Sequence, residues 1–307
     1  MKRWMAYLLL LALLLGCAGA EGEKRVFLEG ETEPFPEGAE LLTLRVAPVL
    51  GGDCMLLTLG EHSMFVDVGH DTDIGLIHDL LSAAGLDHVD AIFNSHPHSD
   101  HAGGVRPLLA EGFPIGVYYN FFPHDFTESY QIVIQKPTIQ ALEAAGLPIV
   151  DLQTEAVIPF GDALLTALRV PDDRVTHSMT CNNLSAMLRI QYGECTALLS
   201  ADVENLVQPI LAEVYDLKAD ILKYPHHGVV AVHKSFLDAV DPEYVVFTHG
   251  TKNTLDAQKH LVRNGYTRMT FATWGMITLQ TDGHKWIVRQ DILPSMEKYV
   301  RNYQVEK

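Results

Sequence analysis

The sequence predicts a single-domain α/β fold in which β-sheets are sandwiched by helices. Strand-like runs gather in two halves of the chain, helical periodicities fall between and after them, and no linker separates the halves. A length of 307 residues suffices for one large domain or two ordinary ones, and 48% hydrophobic residues with no low-complexity tract indicate a substantial core. No internal repeat is visible.

The chain opens with "MKRWMAYLLLLALLLGCAGA". Lys2 and Arg3 precede an apolar run too short for a comfortable membrane span, and small residues follow, which is the layout of a secretory signal at 1–20. "LLGC" resembles the bacterial lipobox, in which Cys17 becomes the lipid-modified first residue of a lipoprotein on the outer side of a membrane. The alternatives are cleavage after "AGA" to a freely secreted protein, or an uncleaved anchoring helix. Residues 21–40 are polar and rich in Gly, Pro and Glu. They read as a flexible tether, leaving 41–307 as the folded domain.

Strand-like runs come first at 41–49, 55–60 and 63–69, and "DIGLIHDLLSAAG" (73–85) has helical spacing and a terminal glycine. "DAIFNS" reads as a strand, "GGVRPLLAEG" as a short helix, "IGVYYN" as a strand and 137–146 as a helix. A second β-rich stretch covers 148–151, 156–159, 163–170, 184–193 and 195–200. Helices then alternate with single strands through "MTFAT", and a hairpin-like pair (275–280 and 285–290) precedes a charged C-terminal tail.

The formal charge of −17 is spread along the chain, so broad nucleic-acid binding is not expected. Beyond Cys17 the cysteines are Cys54, Cys181 and Cys195, too few and too scattered for a disulfide framework and without CxxC spacing.

The chemistry concentrates in "FNSHPHSDHAGG" (93–104). Histidines packed this closely repel one another when protonated, so a cation held between them accounts for the cluster. In an extended loop His96 and His98 project to one side and can grip one ion, while Asp100 and His101 turn toward a second. Imidazole and carboxylate suit zinc, and to a lesser degree iron or manganese. The loop alone cannot close two sites. Further ligand types end hydrophobic runs elsewhere: Asp202 in "LLSAD", His226 and His227 in "KYPHHGV", and His249 in "VVFTHG".

"SHPHSDHAGG" is similar to the His-x-His-x-Asp-His signature of the metallo-β-lactamase superfamily, with "FVDVG" (65–69) and "LLSAD" as weaker matches to flanking segments. "VLGGDCMLL" (49–57), "NNLSAMLRIQYGE" (182–194) and "ILKYPHHG" (221–228) resemble the branch that holds the hydrolase domain of ComEC-type DNA-uptake proteins and secreted choline-phosphate esterases. The resemblance implies an αββα sandwich of two mixed sheets flanked by helices, with two zinc ions at one edge. It further implies His96, His98 and one of His226 or His227 on one metal, Asp100, His101 and His249 on the other, and Asp202 shared. His177 is the alternative third histidine. Val229 stands where this branch usually carries serine, and His98 stands where oxidoreductases of the superfamily usually carry glutamate, which favours hydrolysis over di-iron chemistry.

Asp67 is expected to orient a ligand histidine or a loop amide, with a plain turn role as its rival. Asn183 and Ser185 either face the site or simply open a strand. Lys223 either helps an anionic substrate or is a solvated strand lysine. Two dications sharing a water lower its pKa from about 15.7 toward 7, and Asp100 is the residue expected to orient that nucleophile. The implied substrates are small or oligomeric phosphate esters, with lactones, thioesters or amides second and a non-catalytic metal-binding lipoprotein third. The membrane would be a partner only through the lipid anchor.

Overall fold

The computed structural model describes residues 24–128 and 132–305; the leader, Cys17 and the first part of the expected tether lie outside them. The first half of the chain forms β1 (Val26–Leu28), β2 (Leu42–Val46), β3 (Cys54–Leu59), β4 (His62–Val68), helix α1 (Ile74–Ala84) and β5 (Val89–Phe93). The single turn α2 (Ser99–Ala102), α3 (Val105–Ala110), β6 (Ile115–Asn120), α4 (Gln135–Ala144) and β7 (Ile149–Asp151) follow. The second half forms β8 (Val157–Phe160), β9 (Ala163–Leu168), β10 (Met187–Tyr192), β11 (Cys195–Leu199), α5 (Gln208–Val214) and β12 (Ile221–Lys223). It continues with α6 (Lys234–Val240), β13 (Tyr244–Phe247), α7 (Leu255–Arg263), β14 (Met269–Phe271), β15 (Gly275–Thr281), β16 (Trp286–Ile292) and α8 (Glu297–Val305).

Two sheets result, in the orders β1-β16-β15-β2-β3-β4-β5-β6-β7 and β14-β13-β12-β11-β10-β9-β8. Alternation along single strands shows why they stack. In β5, Ala91 and Phe93 enter the core between the sheets, while Ile92 faces outward. In β11, Ala197 and Leu199 face the same inter-sheet core and Leu198 faces the other way. Ile92 and Phe65 are covered by Ile77, Leu80 and Leu108 from α1 and α3. Leu198, Leu222 and Val245 are covered by Leu211, Phe236 and Leu261 from α5, α6 and α7. With both faces buried, these strands read as nearly continuous apolar runs. The architecture is helix, sheet, sheet, helix.

β4 through β7 run parallel, and so do β11 through β14. The loops leaving their carboxyl ends therefore collect at one edge of the sandwich, where open α/β sheets place their ligands. No helix among the described residues is long and apolar enough to cross a membrane.

The order of the chain begins earlier than the tether reading allows. Val26–Leu28 pairs parallel to Trp286–Val288, the Val26 side chain is fully buried, and the Arg25 and Val26 amides donate to the Glu243 carboxylate at 2.9–3.0 Å. Lys285 Nζ lies over the Phe35 ring, which pins the segment further along. The boundary at 41 is thus corrected to before Val26, because a three-residue strand is too short for alternation to reveal it. The C-terminal "tail" is likewise helix α8, whose Val300 packs on the second core. A 3₁₀ turn (Asn182–Leu184) replaces the start of the strand expected at 184.

Candidate metal centre

Five strand ends and one turn supply the site. β5 runs into Asn94–His98, and the single turn α2 then carries Asp100 and His101. β11 leads to Asp202, β12 to His226 and His227, β13 to Thr248 and His249, and Asp67 lies at the end of β4. The β2–β3 turn adds Asp53, pressed so closely on the histidine loop that the Asp53 amide donates to the Asp100 carbonyl at 3.1 Å. A side chain at Gly52 would meet that same carbonyl at 2.7 Å, so glycine is required there. Of six non-glycine residues with positive φ among the described residues, Asp67, Ala201, His226 and His227 belong to this edge. Each such conformation costs about 1–3 kcal/mol and persists where the surroundings hold it, often at functional sites.

The hydrogen bonds behind the imidazoles decide which way their lone pairs face. His101 Nδ1 lies 2.7 Å from Asp67 Oδ2, and because a carboxylate only accepts, Nδ1 donates and Nε2 is left turned inward. His227 Nδ1 is 3.1 Å from Asp53 Oδ1 and 2.9 Å from Thr248 Oγ1, which fixes the same tautomer. Ser95 Oγ donates to Asp67 Oδ2 at 2.6 Å, so it accepts from His96 Nδ1 at 3.0 Å and His96 Nε2 also faces inward. His96 Nε2 then lies 3.0 Å from His98 Nδ1.

The inward atoms crowd one region. His101 Nε2 is 3.3 Å from His227 Nε2 and 3.3 Å from Asp202 Oδ1. His227 Nε2 is 3.3 Å from Asp202 Oδ2 and 3.4 Å from Asp100 Oδ2, and His96 Nε2 is 4.0 Å from Asp202 Oδ2. Asp202 Oδ1 is buried without a hydrogen bond. Electron-pair donors turned on one another with their protons directed outward are a set that a cation satisfies, and carboxylate-anchored histidines are the usual way of preparing it. The residues fit divalent metal.

Electrostatics agree. Burial opposes ionisation of Asp202, but His227 and His101 outweigh it and hold its carboxyl well below the usual range. Burial likewise opposes charge on His227, yet Asp202 and Asp53 push it up to about 10. His101 is raised well above its ordinary value, against its burial, by Asp202, Asp67 and Asp100. His96, by contrast, is pushed well down by burial and by His101, and so is held neutral. Protons on His101 and His227 occupy the lone pairs that a metal would take.

Of the residues singled out in the sequence, His96, His98, Asp100, His101, Asp202 and His227 are brought together here. His226 stands beside them, with Nε2 3.7 Å from Asp202 Oδ2 and Nδ1 3.3 Å from Glu204 Oε1. His249 is half-buried, with Nδ1 accepting from the Gly250 amide and its ring against Gly51. His177 is exposed in the loop before Thr180. Ser185 Oγ accepts from the Asp202 amide at 3.3 Å, while Asn183 Nδ2 donates to Glu204 at 3.0 Å. Lys223 is neither solvated nor open to substrate. Its side chain is 1% exposed, with Nζ ion-paired with Asp53 and 3.0 Å from the Ala201 carbonyl.

Asp53 is the functional residue that sequence reasoning missed. Its ligand atom lies within 4.8 Å of those of His101, Asp202 and His227, and its oxygens are shared by His227, Thr248 and Lys223. A second group, His98, Glu128 and Cys181, meets the same spacing behind His98. All three described cysteines are free and buried.

Comparison with known proteins accords with this geometry. The chain is 24% identical over 250 residues to ComE operon protein 3 of Bacillus subtilis, covering 79% of this chain and 30% of that protein. It is 24% identical over 243 residues to Competence protein ComA of Neisseria gonorrhoeae, covering 78% and 31%. The chain thus spans about a third of the length of the curated relatives it matches. Among solved structures, CmlA, a diiron β-hydroxylase from Streptomyces venezuelae, has TM-score 0.52 at 15% identity, covering 81% of this chain and 55% of that one. Tm1679, a metal-dependent hydrolase of the β-lactamase superfamily, has TM-score 0.51 at 11% identity, covering 81% and 100%. Those likenesses are of fold. Residues 47–249 match the metallo-beta-lactamase superfamily, and with the αββα sandwich and the histidine–aspartate edge the chain belongs to that superfamily.

Proposed function

We propose that this chain is an extracytoplasmic hydrolase of phosphodiesters or related phosphate esters that works with two divalent cations, zinc by preference and manganese or iron as alternatives. The observation that carries the reading is the convergence of His96, His98, Asp100, His101, Asp202 and His227 on one region, with the outward nitrogens of His96, His101 and His227 already engaged. His96, His98 and His227 would hold one cation and Asp100 and His101 the other, with Asp202 shared and His249 the remaining donor.

Such a pair supplies a water acidified toward neutral pH and concentrated positive charge at the attacked centre. The chain's own residues do the rest. Asp100, with its side chain 26% exposed, is the carboxylate of the set that both reaches the inner group and opens to solvent, so it would accept a hydrogen bond from the attacking water and aim it. Asp67, Ser95 and Asp53 fix the tautomers and ring planes of His101, His96 and His227. Lys223 offsets the buried charge of Asp53, which spares the inner region a further unbalanced carboxylate.

The resemblance to the DNA-uptake and choline-phosphate esterase branch favours phosphorus as the attacked atom. A carboxylic substrate is the second reading, favoured by the withdrawal of Lys223 from any substrate anion: it is buried and paired. The secretory layout of 1–20 supports an extracytoplasmic location, with Cys17 as the lipid anchor. Zinc-loaded protein assayed on bis(p-nitrophenyl) phosphate, lactones and β-lactams separates the readings. Turnover of the phosphate is expected, and turnover of lactones alone would transfer the assignment to carboxylic esters.

A further inference from the structure

Beside His226 the surface opens into a cavity of about 300 Å³. Its apolar walls are Val203, Leu206, Pro225, Val230 and Ala231, and Glu204, Asn205, Gln208 and His226 are its polar members. His226 belongs to both places, lining this cavity and setting its Nε2 3.7 Å from Asp202 Oδ2. Leu206 and Val230 are 48% and 51% exposed, and the apolar character continues around the mouth. Val229, next to Val230 in the chain, is 39% exposed. Exposed apolar residues clustered around a concave polar site mark a ligand surface rather than scattered surface noise.

Charge excludes one occupant. No lysine or arginine is among the residues lining the cavity, and Glu204 is anchored in its wall by Asn182, Asn183 and His226. The clustered cations lie at the opposite edge, before β12, β13 and β14, where Lys24, Arg25, Lys218 and Arg268 are paired with acidic side chains. A nucleic-acid strand needs cations along its path, and this cavity presents one carboxylate, two side-chain amides, a histidine and apolar side chains. A cavity of about 300 Å³ has room for one aliphatic or aromatic group.

We infer that this cavity receives the apolar organic group of the ester, so that the substrate is a phosphate ester of an apolar alcohol, with Leu206 and Val230 as specificity-determining residues. The inference rests on the hydrolase reading above and narrows it.

The test is a series of p-nitrophenyl alkyl phosphates, methyl to hexyl, with p-nitrophenyl thymidine phosphate as the nucleotide comparison, on the zinc-loaded full chain. The expected result is a kcat/KM rising roughly two- to fourfold per methylene, with the nucleotide ester below the hexyl ester. Leu206→Asp and Val230→Trp should each flatten the series; both positions are exposed, and an unchanged thermal transition checks the fold. Calorimetry of hexylphosphonate against methylphosphonate gives a readout without turnover, and the tighter binding of the hexyl compound should persist in metal-free protein. A flat series, a preferred nucleotide ester, or a chain-length dependence untouched by both substitutions overturns the inference. Failure to hydrolyse any phosphate with metal bound overturns the hydrolase reading instead, and the phosphonate comparison still decides the cavity.

Discussion

At the scale of the residue, the adjacent histidines of "PHHG" have different work although their backbones are equally strained, with φ of 48° and 53°. His227 is buried, has Asp53 and Thr248 behind it, and turns Nε2 to His101, Asp202 and Asp100. His226 is half-buried and leans on Glu204. Accordingly, His227→Ala should lower bound metal per chain while His226→Ala and His177→Ala leave it unchanged, as read by elemental analysis after dialysis. Proton balance gives a second prediction. His101 and His227 are held charged through neutrality by neighbouring carboxylates, His227 up to about 10, so metal loading near pH 7 must release protons and bind more tightly as pH rises. Calorimetric titrations in two buffers of different ionisation enthalpy measure that release, and no difference between buffers would contradict it.

At the scale of the element, the β2–β3 turn and the end of β12 act as one support. Asp53 ties the turn to His227 and Thr248 and neutralises Lys223, which is fully buried. Removing one member of a buried pair leaves the other uncompensated, so Asp53→Ala should cost about 3–5 kcal/mol in urea unfolding. The Asp53→Ala, Lys223→Met double variant should recover part of that loss. The pair also carries a pH dependence. Asp53 is held well below the usual carboxylate range, since Lys223 and His227 outweigh its burial. Its contribution is therefore complete above that range and is lost only as acid titrates it below. None of this support was legible. A Gly-Gly-Asp between strands reads as an ordinary turn, and Lys223 closing a strand reads as solvated, because long-range pairing leaves no periodicity. The histidine loop was legible because six consecutive positions carry three histidines and an aspartate, and Asp202 and His227 because each follows an apolar run.

At the scale of the whole molecule, the sandwich was readable because the buried strands are long apolar runs with turn residues between them, while β1 and α8 were not. β1 has three residues and is held by β16 and Glu243, contacts hundreds of positions away in sequence. A chain beginning at 41 should accordingly be less stable than one beginning at 24 by about 2 kcal/mol or more, from loss of buried Val26 alone. Parallel strand order matters more for function, because it delivers ligands from both halves of the chain to one edge. The most direct test of that convergence is zinc bound per chain in the purified, zinc-loaded protein and in Asp202→Ala. About two ions per chain are expected, falling below one when the carboxylate between the two histidine groups is removed. A chain that binds no zinc, or an Asp202→Ala variant that keeps its full complement, would contradict the account.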